Sequence, residues 1–309
     1  MKRETFFMHM SDGKQIAVHR WLPDKKSTIR GIIQLSHGMN EYAMRYDGFA
    51  EFLTTAGFAV YGQDHRGHGE TAGSPEELGY LADMAGFQRV VLDLRQVIKR
   101  AKNDFPGKKI FLFAHSFGSF IGQSFIEQYS YDIDGCILCG TAGPRQPLMA
   151  FAKFLAKTCI LLGRKKKPAK LLAMISFAGY NQRFPESEGK NAWLTRDSEI
   201  AQKYAVDPLC NFVPKTMFYY DMFTGMHSIH KKKAMKAIPR SFPVFMIVGG
   251  DDPVGGYAKT VEKLYEIYKN NGMSDVELKV YPGGRHELLN ETNKEEVMND
   301  VLAWIDARM

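Results

Sequence analysis

The chain has 309 residues, of which 45% are hydrophobic and 24% are charged. These proportions are ordinary for a globular protein and exclude collagen, a disordered chain and a disulfide scaffold. The N-terminus is basic but lacks an apolar run of signal-peptide length, and no stretch of about 18 uncharged apolar residues occurs. We therefore expect a cytoplasmic protein without a membrane span, whose four cysteines are free thiols.

The net charge of +7 is distributed unevenly along the chain. Residues 144–242 contain 18 lysines and arginines against 6 aspartates and glutamates, a balance of +12, so the rest carries −5. A basic segment of this kind is a candidate for transient contact with an anionic membrane surface, although a solvated helix face is the alternative. Because no helix-turn-helix, zinc finger or RNA-binding motif accompanies the charge, we do not expect nucleic-acid binding.

Strand and helix signals alternate over the first 143 residues. A hairpin comes first, and buried strands and amphipathic helices follow in turn. The predicted strands are residues 3–9, 14–22, 29–36, 58–61, 109–114 and 133–139. The predicted helices are residues 45–56, 84–103 and 117–129.

The alternation stops near residue 143 and resumes at residue 243 with strand, helix, strand and helix. These last predicted elements are residues 243–248, 256–270, 276–281 and 293–307. The pattern indicates an α/β fold with a mostly parallel central sheet flanked by helices. About 100 residues without a sheet signal indicate an inserted helical cap, residues 144–242, in a core formed by residues 1–143 and 243–309.

The main chemical signal is residues 114–118 (Ala-His-Ser-Phe-Gly), which lie between a predicted strand and a predicted helix. This is the context of a nucleophile elbow, where a serine on a sharp turn projects its hydroxyl above the sheet. Ser116 is therefore the candidate nucleophile. Ala114 stands where the motif has glycine, and its small side chain meets the same need.

A serine hydroxyl needs an adjacent base, which is itself oriented by a third group. Among nine histidines, His286 is the best placed, in a glycine-bearing loop before the closing helix. Residues 249–254 (Gly-Gly-Asp-Asp-Pro-Val) supply two carboxylates, Asp251 and Asp252, after the preceding strand. The order serine, aspartate, histidine is the one expected of α/β-hydrolases.

Acyl transfer also needs backbone N–H groups that face the developing oxyanion. One should belong to Phe117, the residue after the candidate nucleophile, and the other to Met39 in the loop after the strand at residues 29–36. Gly38, Asn40 and His115 border the same place in sequence and are the predicted substrate contacts.

Four further segments accompany the serine elbow: residues 37–41 (His-Gly-Met-Asn-Glu), 64–69 (Asp-His-Arg-Gly-His-Gly), 249–254 and 285–291 (Arg-His-Glu-Leu-Leu-Asn-Glu). Together they resemble the monoacylglycerol lipase and lysophospholipase group of α/β-hydrolases, from about residue 10 to the C-terminus. The resemblance is weakest in the cap. The family pattern places the acid three residues after Gly249, the first glycine of residues 249–254, which favours Asp252.

The resemblance implies the α/β-hydrolase fold and a serine carboxylic-ester hydrolase. Its substrates would be single-acyl-chain lipid esters, monoacylglycerol or lysophospholipid, cleaved through a Ser-His-Asp triad and an acyl-enzyme intermediate with no cofactor and no metal. The apolar residues of the cap could line an acyl pocket and rest at a lipid interface. They could equally pack the cap against the core, and the sequence leaves both open.

Other functions use the same elbow. A thioesterase, an aminopeptidase or an acyltransferase would carry the same residues, whereas epoxide and haloalkane hydrolases place an aspartate where Ser116 stands. A non-catalytic binding protein typically lacks one member of the triad, and here all three are present. A zinc site at Cys136 and Cys139 is disfavoured because residues three apart in a strand point to opposite faces.

Overall fold

The computed structural model describes residues 1–24 and 29–309. Its strands are β1 Lys2–His9, β2 Gln15–Leu22, β3 Gly31–Ser36, β4 Phe58–Gln63, β5 Ile110–His115, β6 Gly135–Cys139, β7 Val244–Gly249 and β8 Val276–Tyr281. They form one sheet of order β1-β2-β4-β3-β5-β6-β7-β8. Pairing is antiparallel from β1 to β2 and from β2 to β4, and parallel elsewhere. The predicted mostly parallel sheet is confirmed.

Eleven helices accompany the sheet in the described residues. They are α1 Asp47–Thr55, α2 Gly69–Ala72, α3 Gly86–Asp104, α4 Phe117–Tyr129, α5 Gln146–Cys159, α6 Lys170–Ser176, α7 Ser198–Val206, α8 Thr216–Ile229, α9 Lys232–Met235, α10 Lys259–Asn270 and α11 Lys294–Asp306. Side chains alternate between the two faces of each strand. On β5, Leu112 joins the apolar cluster that contains α3 and α4 residues, while Phe111 and Phe113 join the cluster on the opposite face, with α1 and α11.

Two predicted helices begin later than the apolar pattern suggests. A 3₁₀ turn, Ala43–Tyr46, precedes α1, and turns precede α10, where Tyr257 and Ala258 have φ of 58° and 66°. Positive φ is incompatible with an α-helix of L-residues, so α10 starts only at Lys259. The spacing of hydrophobic residues in the sequence does not reveal this local change in backbone conformation.

The segment between β6 and β7 contains α5 to α9 and a π-helical turn, Ile160–Arg164. Within the described chain it contributes no strand to the sheet. Helix α8 packs against α3 and α4, and its Phe218 and Tyr219 are fully buried in the core cluster. This part of the cap is therefore anchored by the same hydrophobic burial that stabilises the core.

Several other apolar residues of the cap are open to solvent. Apart from Val206 of α7, those that are 47–77% exposed lie on α5, α6 and the π-helical turn between them: Leu148, Phe151, Phe154, Leu161, Leu162, Leu171, Met174 and Ile175. Helix α8 thus packs against the core, which is one of the two alternatives, whereas α5 and α6 present an apolar surface. None of the helices in the described residues has the length and hydropathy needed to cross a bilayer.

Gly118, in the first turn of α4, lies against the end of β3. A Cβ placed there would come 2.1 Å from the Ser36 carbonyl oxygen, which is backbone and cannot move aside easily. Gly48 in α1 is a matched contrast, because a Cβ there would have nothing within 4 Å.

We expect Gly118→Ala to lower the free energy of unfolding by roughly 2 kcal/mol or more, the range for overpacking of a tight contact. Gly48→Ala should leave stability unchanged or raise it by up to about 1 kcal/mol, because alanine favours helix. Urea denaturation of both variants at neutral pH measures the difference. Equal effects of the two substitutions would contradict the tight approach at Gly118.

Glu127 on α4 is a carboxyl group held partly out of water. Its Oε1 has no hydrogen-bond partner among the described residues. Burial raises the pKa of Glu127 from 4.5 to about 9, so the folded protein keeps this group protonated at neutral pH. A raised carboxyl pKa lowers the stability of the folded protein at high pH. The carboxyl group ionises more easily in the unfolded chain, so the unfolded state is then favoured.

Glu127→Gln should therefore change how stability depends on pH. Relative to the variant, the wild-type free energy of unfolding should fall as pH rises from about 5 to about 9, and the two curves should run parallel below about pH 4.5. Urea denaturation at several pH values measures this, with Glu266→Gln on the exposed side of α10 as control. A difference between wild type and Glu127→Gln that stays constant with pH would contradict the prediction.

Candidate active site

Ser116 lies at the turn between β5 and α4. Its φ of 53° and ψ of −121° are unusual for a residue with a side chain, and such strain persists only where the surroundings enforce it. The Ser116 N–H donates to the Cys139 carbonyl of β6 at 3.0 Å, and Gly118 allows the turn to approach β3. The strand, the neighbouring strand and the glycine together hold the hydroxyl above the carboxyl edge of the sheet.

The three residues predicted from the sequence form a hydrogen-bonded chain that runs from Ser116 through His286 to Asp252. His286 Nε2 is 2.8 Å from Ser116 Oγ, and His286 Nδ1 is 3.0 Å from Asp252 Oδ2. Asp252 is fully buried, and its Oδ1 accepts the Val254 N–H at 2.8 Å. With Nδ1 protonated, the imidazole donates to Asp252 and accepts from the serine hydroxyl. This is the arrangement of nucleophile, base and orienting acid.

The loop that carries Met39 passes close to the serine. A Cβ at Gly38 would lie 3.0 Å from the Ser116 Cβ and 3.2 Å from His115 Nδ1, so a larger residue would push the loop away. Phe117 is the first residue of α4, and the first N–H groups of a helix have no intrahelical partner. Met39, Ser116 and Phe117 line the same cavity. The arrangement suits two backbone donors near the serine oxygen.

Glu41 ties this loop to the residue before the serine. Its Oε1 accepts the Gly38 N–H, the Tyr46 hydroxyl at 2.8 Å and the His115 Nδ1–H at 3.0 Å, and its Oε2 accepts from Arg45 at 2.9 Å. Burial opposes ionisation, but the hydrogen bond from His115 and the charge of Arg45 hold the pKa of Glu41 well below its usual range. The carboxylate therefore stays charged and fixes the loop.

His115 contacts the candidate base directly. Burial would lower the pKa of His115, yet the hydrogen bond to Glu41 raises it above the ordinary value. The second ring nitrogen, Nε2, lies 3.2 Å from the His286 carbonyl and donates to it, and the two rings are 4.8 Å apart. His115 therefore holds the backbone of the His286 loop. His115 and Gly38 also line the cavity, and their predicted contact with substrate stays a prediction.

Arg45 joins the two loops on either side of the site. Its Nη1 and Nη2 donate to both carboxylate oxygens of Glu287 at 2.8 Å, and Nη1 also reaches Glu41. Burial would lower the pKa of Arg45, but the charge of Glu287 and of Glu41 raises it, so the guanidinium remains charged. A bidentate pair of this kind fixes geometry as well as charge.

Asn40 is hydrogen-bonded to the cap. Its amide Nδ2 donates to the Phe212 carbonyl of the cap at 2.6 Å, and the described residues that line the cavity do not include it. Its φ of 57° is a left-handed conformation that asparagine tolerates. The Asn40 side chain therefore links the loop to the cap, and a substrate contact at this residue stays a prediction.

Three buried histidines, His37, His65 and His68, support the loop that carries Met39. His37 Nε2 accepts the His65 N–H at 2.8 Å, and the ring of His37 lies 4.1 Å from that of His65 and 5.4 Å from that of His68. Burial lowers the pKa of His37 and of His68, and lowers that of His65 to about 3. These neutral rings support the loop and do not reach the serine oxygen.

The serine and His286 open into an apolar cavity of about 310 Å³ between the core and the cap. Its apolar walls include Phe120, Leu148, Met149, Phe151, Leu155, Leu172, Ile175, Phe177, Met222 and Phe223. A second cavity of about 440 Å³, behind Arg45, shares Glu41, His115 and Glu287 with it but does not reach Ser116.

The described residues contain no cluster of three or more histidines, cysteines, aspartates or glutamates able to hold a metal ion. Cys136 and Cys139 are buried free thiols on β6. Trp193, whose ring lies 5.1 Å from that of His286, belongs to no motif that sequence reasoning could use, because it comes from the middle of the cap. Arg45 could have been noticed, since it stands four residues after Glu41 at the start of a helical segment.

Relatives of the chain are found over nearly its whole length. Residues 27–293 match the family described as "Serine aminopeptidase, S33". The chain is 28% identical over 301 residues to a monoacylglycerol lipase of Mycolicibacterium smegmatis, which covers 95% of this chain and 93% of that protein. It is 25% identical over 303 residues to a monoglyceride lipase of Rattus norvegicus, covering 97% and 89% respectively.

Among solved structures, a highly thermostable carboxyl esterase from Bacillus coagulans in complex with glycerol superposes with a TM-score of 0.91. The two are 28% identical, and the match covers 99% of both chains. The sheet order, the serine elbow and these relatives agree on the fold. The chain belongs to the Serine aminopeptidase, S33 family and is a carboxylic ester hydrolase of the α/β-hydrolase fold, similar to monoacylglycerol lipases.

Proposed function

We propose that the protein hydrolyses single-acyl-chain lipid esters, monoacylglycerol or lysophospholipid, with Ser116 as nucleophile, His286 as base and Asp252 as the acid behind it. The observation that carries the proposal is the pair of hydrogen bonds, 2.8 and 3.0 Å, that links Ser116 Oγ through His286 to Asp252. This linked set opens directly into an apolar cavity.

The reaction follows from the chemistry of this arrangement. His286 Nε2 removes the Ser116 proton as the serine oxygen attacks the ester carbonyl, and the Met39 and Phe117 N–H groups stabilise the tetrahedral oxyanion. The imidazolium, paired with Asp252, then protonates the leaving alcohol. A water molecule activated by the same histidine releases the fatty acid and restores the serine.

The substrate class is inferred from the cavity and the relatives. The walls are mostly apolar, and about 310 Å³ lies at the lower end of the range for small-molecule sites, which favours one acyl chain over several. Two relatives that match almost the whole chain are a monoacylglycerol lipase and a monoglyceride lipase. Glycerol is bound in the esterase of closely similar fold.

An aminopeptidase is the second candidate, because the matching family is described by that activity. A peptide's terminal ammonium would need a free carboxylate near the serine. The two glutamates that line the cavity, Glu41 and Glu287, are both already paired with Arg45. The pairing and the apolar walls favour an ester with an acyl chain. Thioester cleavage and acyl transfer to an added alcohol would use the same serine, and the substrate panel below separates them.

Ser116→Ala should reduce ester turnover by on the order of 10³-fold or more, because the nucleophile is lost. The assay compares monoacylglycerols, a lysophosphatidylcholine, p-nitrophenyl esters and thioesters of increasing length, and an aminoacyl p-nitroanilide. A fluorophosphonate should label the wild type and not the variant. Turnover near the wild-type level in Ser116→Ala would refute the mechanism. A preference of the wild type for the anilide would refute the ester as substrate and favour an aminopeptidase.

We also propose that α5, α6 and the turn between them rest transiently on an anionic lipid surface. The most exposed apolar residues there are Phe154, Leu161 and Leu162, at 67%, 77% and 73%. The basic run at residues 164–167 follows them immediately in the chain. An apolar patch flanked by lysines is the composition of an interfacial helix, and the proposed substrate resides in such a surface.

Phe154→Glu combined with Leu161→Glu should weaken binding to phosphatidylserine-containing vesicles by about tenfold or more, since each apolar side chain removed from water contributes roughly 1.5–3 kcal/mol. Co-sedimentation at low and high salt measures this. Neither residue lines the cavity, so turnover of a water-soluble short ester should stay within about twofold of wild type. Tyr131→Glu is the control, because Tyr131 is 90% exposed and lies outside the cap. Unchanged binding of the double variant would contradict the proposal.

A further inference from the structure

One short segment of the cap lies along the loop that carries His286. We refer to residues 192–196 as the cap strap. Its backbone accepts the His286 N–H at the Trp193 carbonyl, 3.3 Å away, and the Glu287 N–H at the Leu194 carbonyl, 2.7 Å away. The Thr195 hydroxyl donates to the Asn290 carbonyl at 2.7 Å. Successive residues of the strap therefore pair with successive residues of the histidine loop.

Charged side chains secure both ends of the strap. Arg285 Nη1 donates to the Ala192 carbonyl at 2.7 Å, and Arg196 Nε donates to Glu291 Oε2 at 2.7 Å. Glu291 also accepts the Arg285 N–H at 2.9 Å, so one buried carboxylate joins strap and loop. A buried loop must satisfy its backbone polar groups, and this strap does so against the residues on either side of His286.

Trp193 places its ring against the imidazole from the strap. The ring centroids are 5.1 Å apart with the planes 34° apart, within the range of favourable aromatic contact. The Trp193 ring is supported in turn by Tyr180 at 5.1 Å and Phe177 at 5.7 Å. The backbone N–H of Trp193 donates to Asn181 Oδ1 at 3.0 Å, which fixes the main chain that carries the ring. The indole is thus held from behind and presents a fixed surface to His286.

We propose that Trp193 is a positioning residue for His286, and that the cap strap is a permanent part of the catalytic site. The inference rests on the proposed function, in which His286 transfers the proton. The strap binds the peptide N–H of His286 and His115 binds its carbonyl, which fixes the backbone. Rotation of the ring about its side-chain bonds is restrained in addition by the hydrogen bond to Asp252. The Trp193 ring limits that rotation and keeps Nε2 directed at Ser116.

The aromatic face has a second effect in the reaction. The imidazole becomes a cation when it takes the serine proton, and a cation beside an aromatic ring is stabilised by the ring's electron density. The interaction is therefore stronger in the charged transition state than in the resting enzyme, which is the condition for raising kcat.

The test compares Trp193→Leu and Trp193→Phe in the full-length protein with a water-soluble p-nitrophenyl ester. We expect Trp193→Leu to lower kcat by about 10- to 100-fold, the loss typical of a misplaced catalytic group, with KM changed less than about threefold. Trp193→Phe restores an aromatic face and should recover kcat to within about fivefold of wild type. Sites are titrated with a fluorophosphonate and kcat is expressed per labelled site, so unfolded molecules do not enter the comparison.

Phe184→Leu is the matched control. Phe184 belongs to the same part of the cap, but its ring contacts the guanidinium of Arg285, 4.1 Å away, and it does not line the cavity. Its loss should leave kcat per labelled site within about twofold of wild type. Three results would overturn the positioning role: unchanged kcat in Trp193→Leu, a loss that phenylalanine does not recover, or an equal loss in Phe184→Leu.

The outcome also separates this inference from the proposed function. If the fluorophosphonate does not label the wild type, both the proposed function and the positioning role of Trp193 are refuted, because there is then no reaction for which His286 must be positioned. A labelled wild type whose Trp193→Leu variant keeps its kcat would remove the role of Trp193 alone.

Discussion

Ser116 is held at a positive φ by the close approach of the turn to two neighbouring strands. The Ser116 N–H donates to β6 and Gly118 packs against β3. Contacts with two neighbouring strands therefore hold the strained turn in place. Every other part of the site is arranged around that fixed hydroxyl. Asp252 and the His286 loop reach it because parallel strands bring their carboxyl ends to one edge of the sheet.

The His286 loop is restrained from two directions. On the core side, His115 binds the His286 carbonyl, and Glu41 and Arg45 hold His115 and the loop that carries Met39 in one charged network. On the cap side, the strap binds the His286 N–H and places Trp193 beside the ring. The two restraints are chemically different: the first is buried charge with paired partners, and the second is backbone pairing with an aromatic surface.

The cap therefore combines two roles in one insertion. Helix α8 and the cap strap are packed or hydrogen-bonded onto the core and contribute to the site's geometry. Helices α5 and α6 contribute side chains to the cavity wall and also present apolar side chains to solvent. The proposed activity on lipid esters would use both properties, because the catalytic groups must stay fixed while the substrate leaves a lipid phase.

The sequence by itself determined the order of strands and helices, the elbow at Ser116 and the choice of His286 and Asp252, because these depend on hydrophobic periodicity and on motifs a few residues long. It also predicted an insertion over residues 144–242. Only the tertiary structure decided that Asn40 turns to the cap, that α8 is buried while α5 is open, and that Trp193 meets His286. Those outcomes depend on contacts between residues far apart in the chain, for which local patterns carry no signal: amphipathic spacing shows that a helix has an apolar face, but not what covers it.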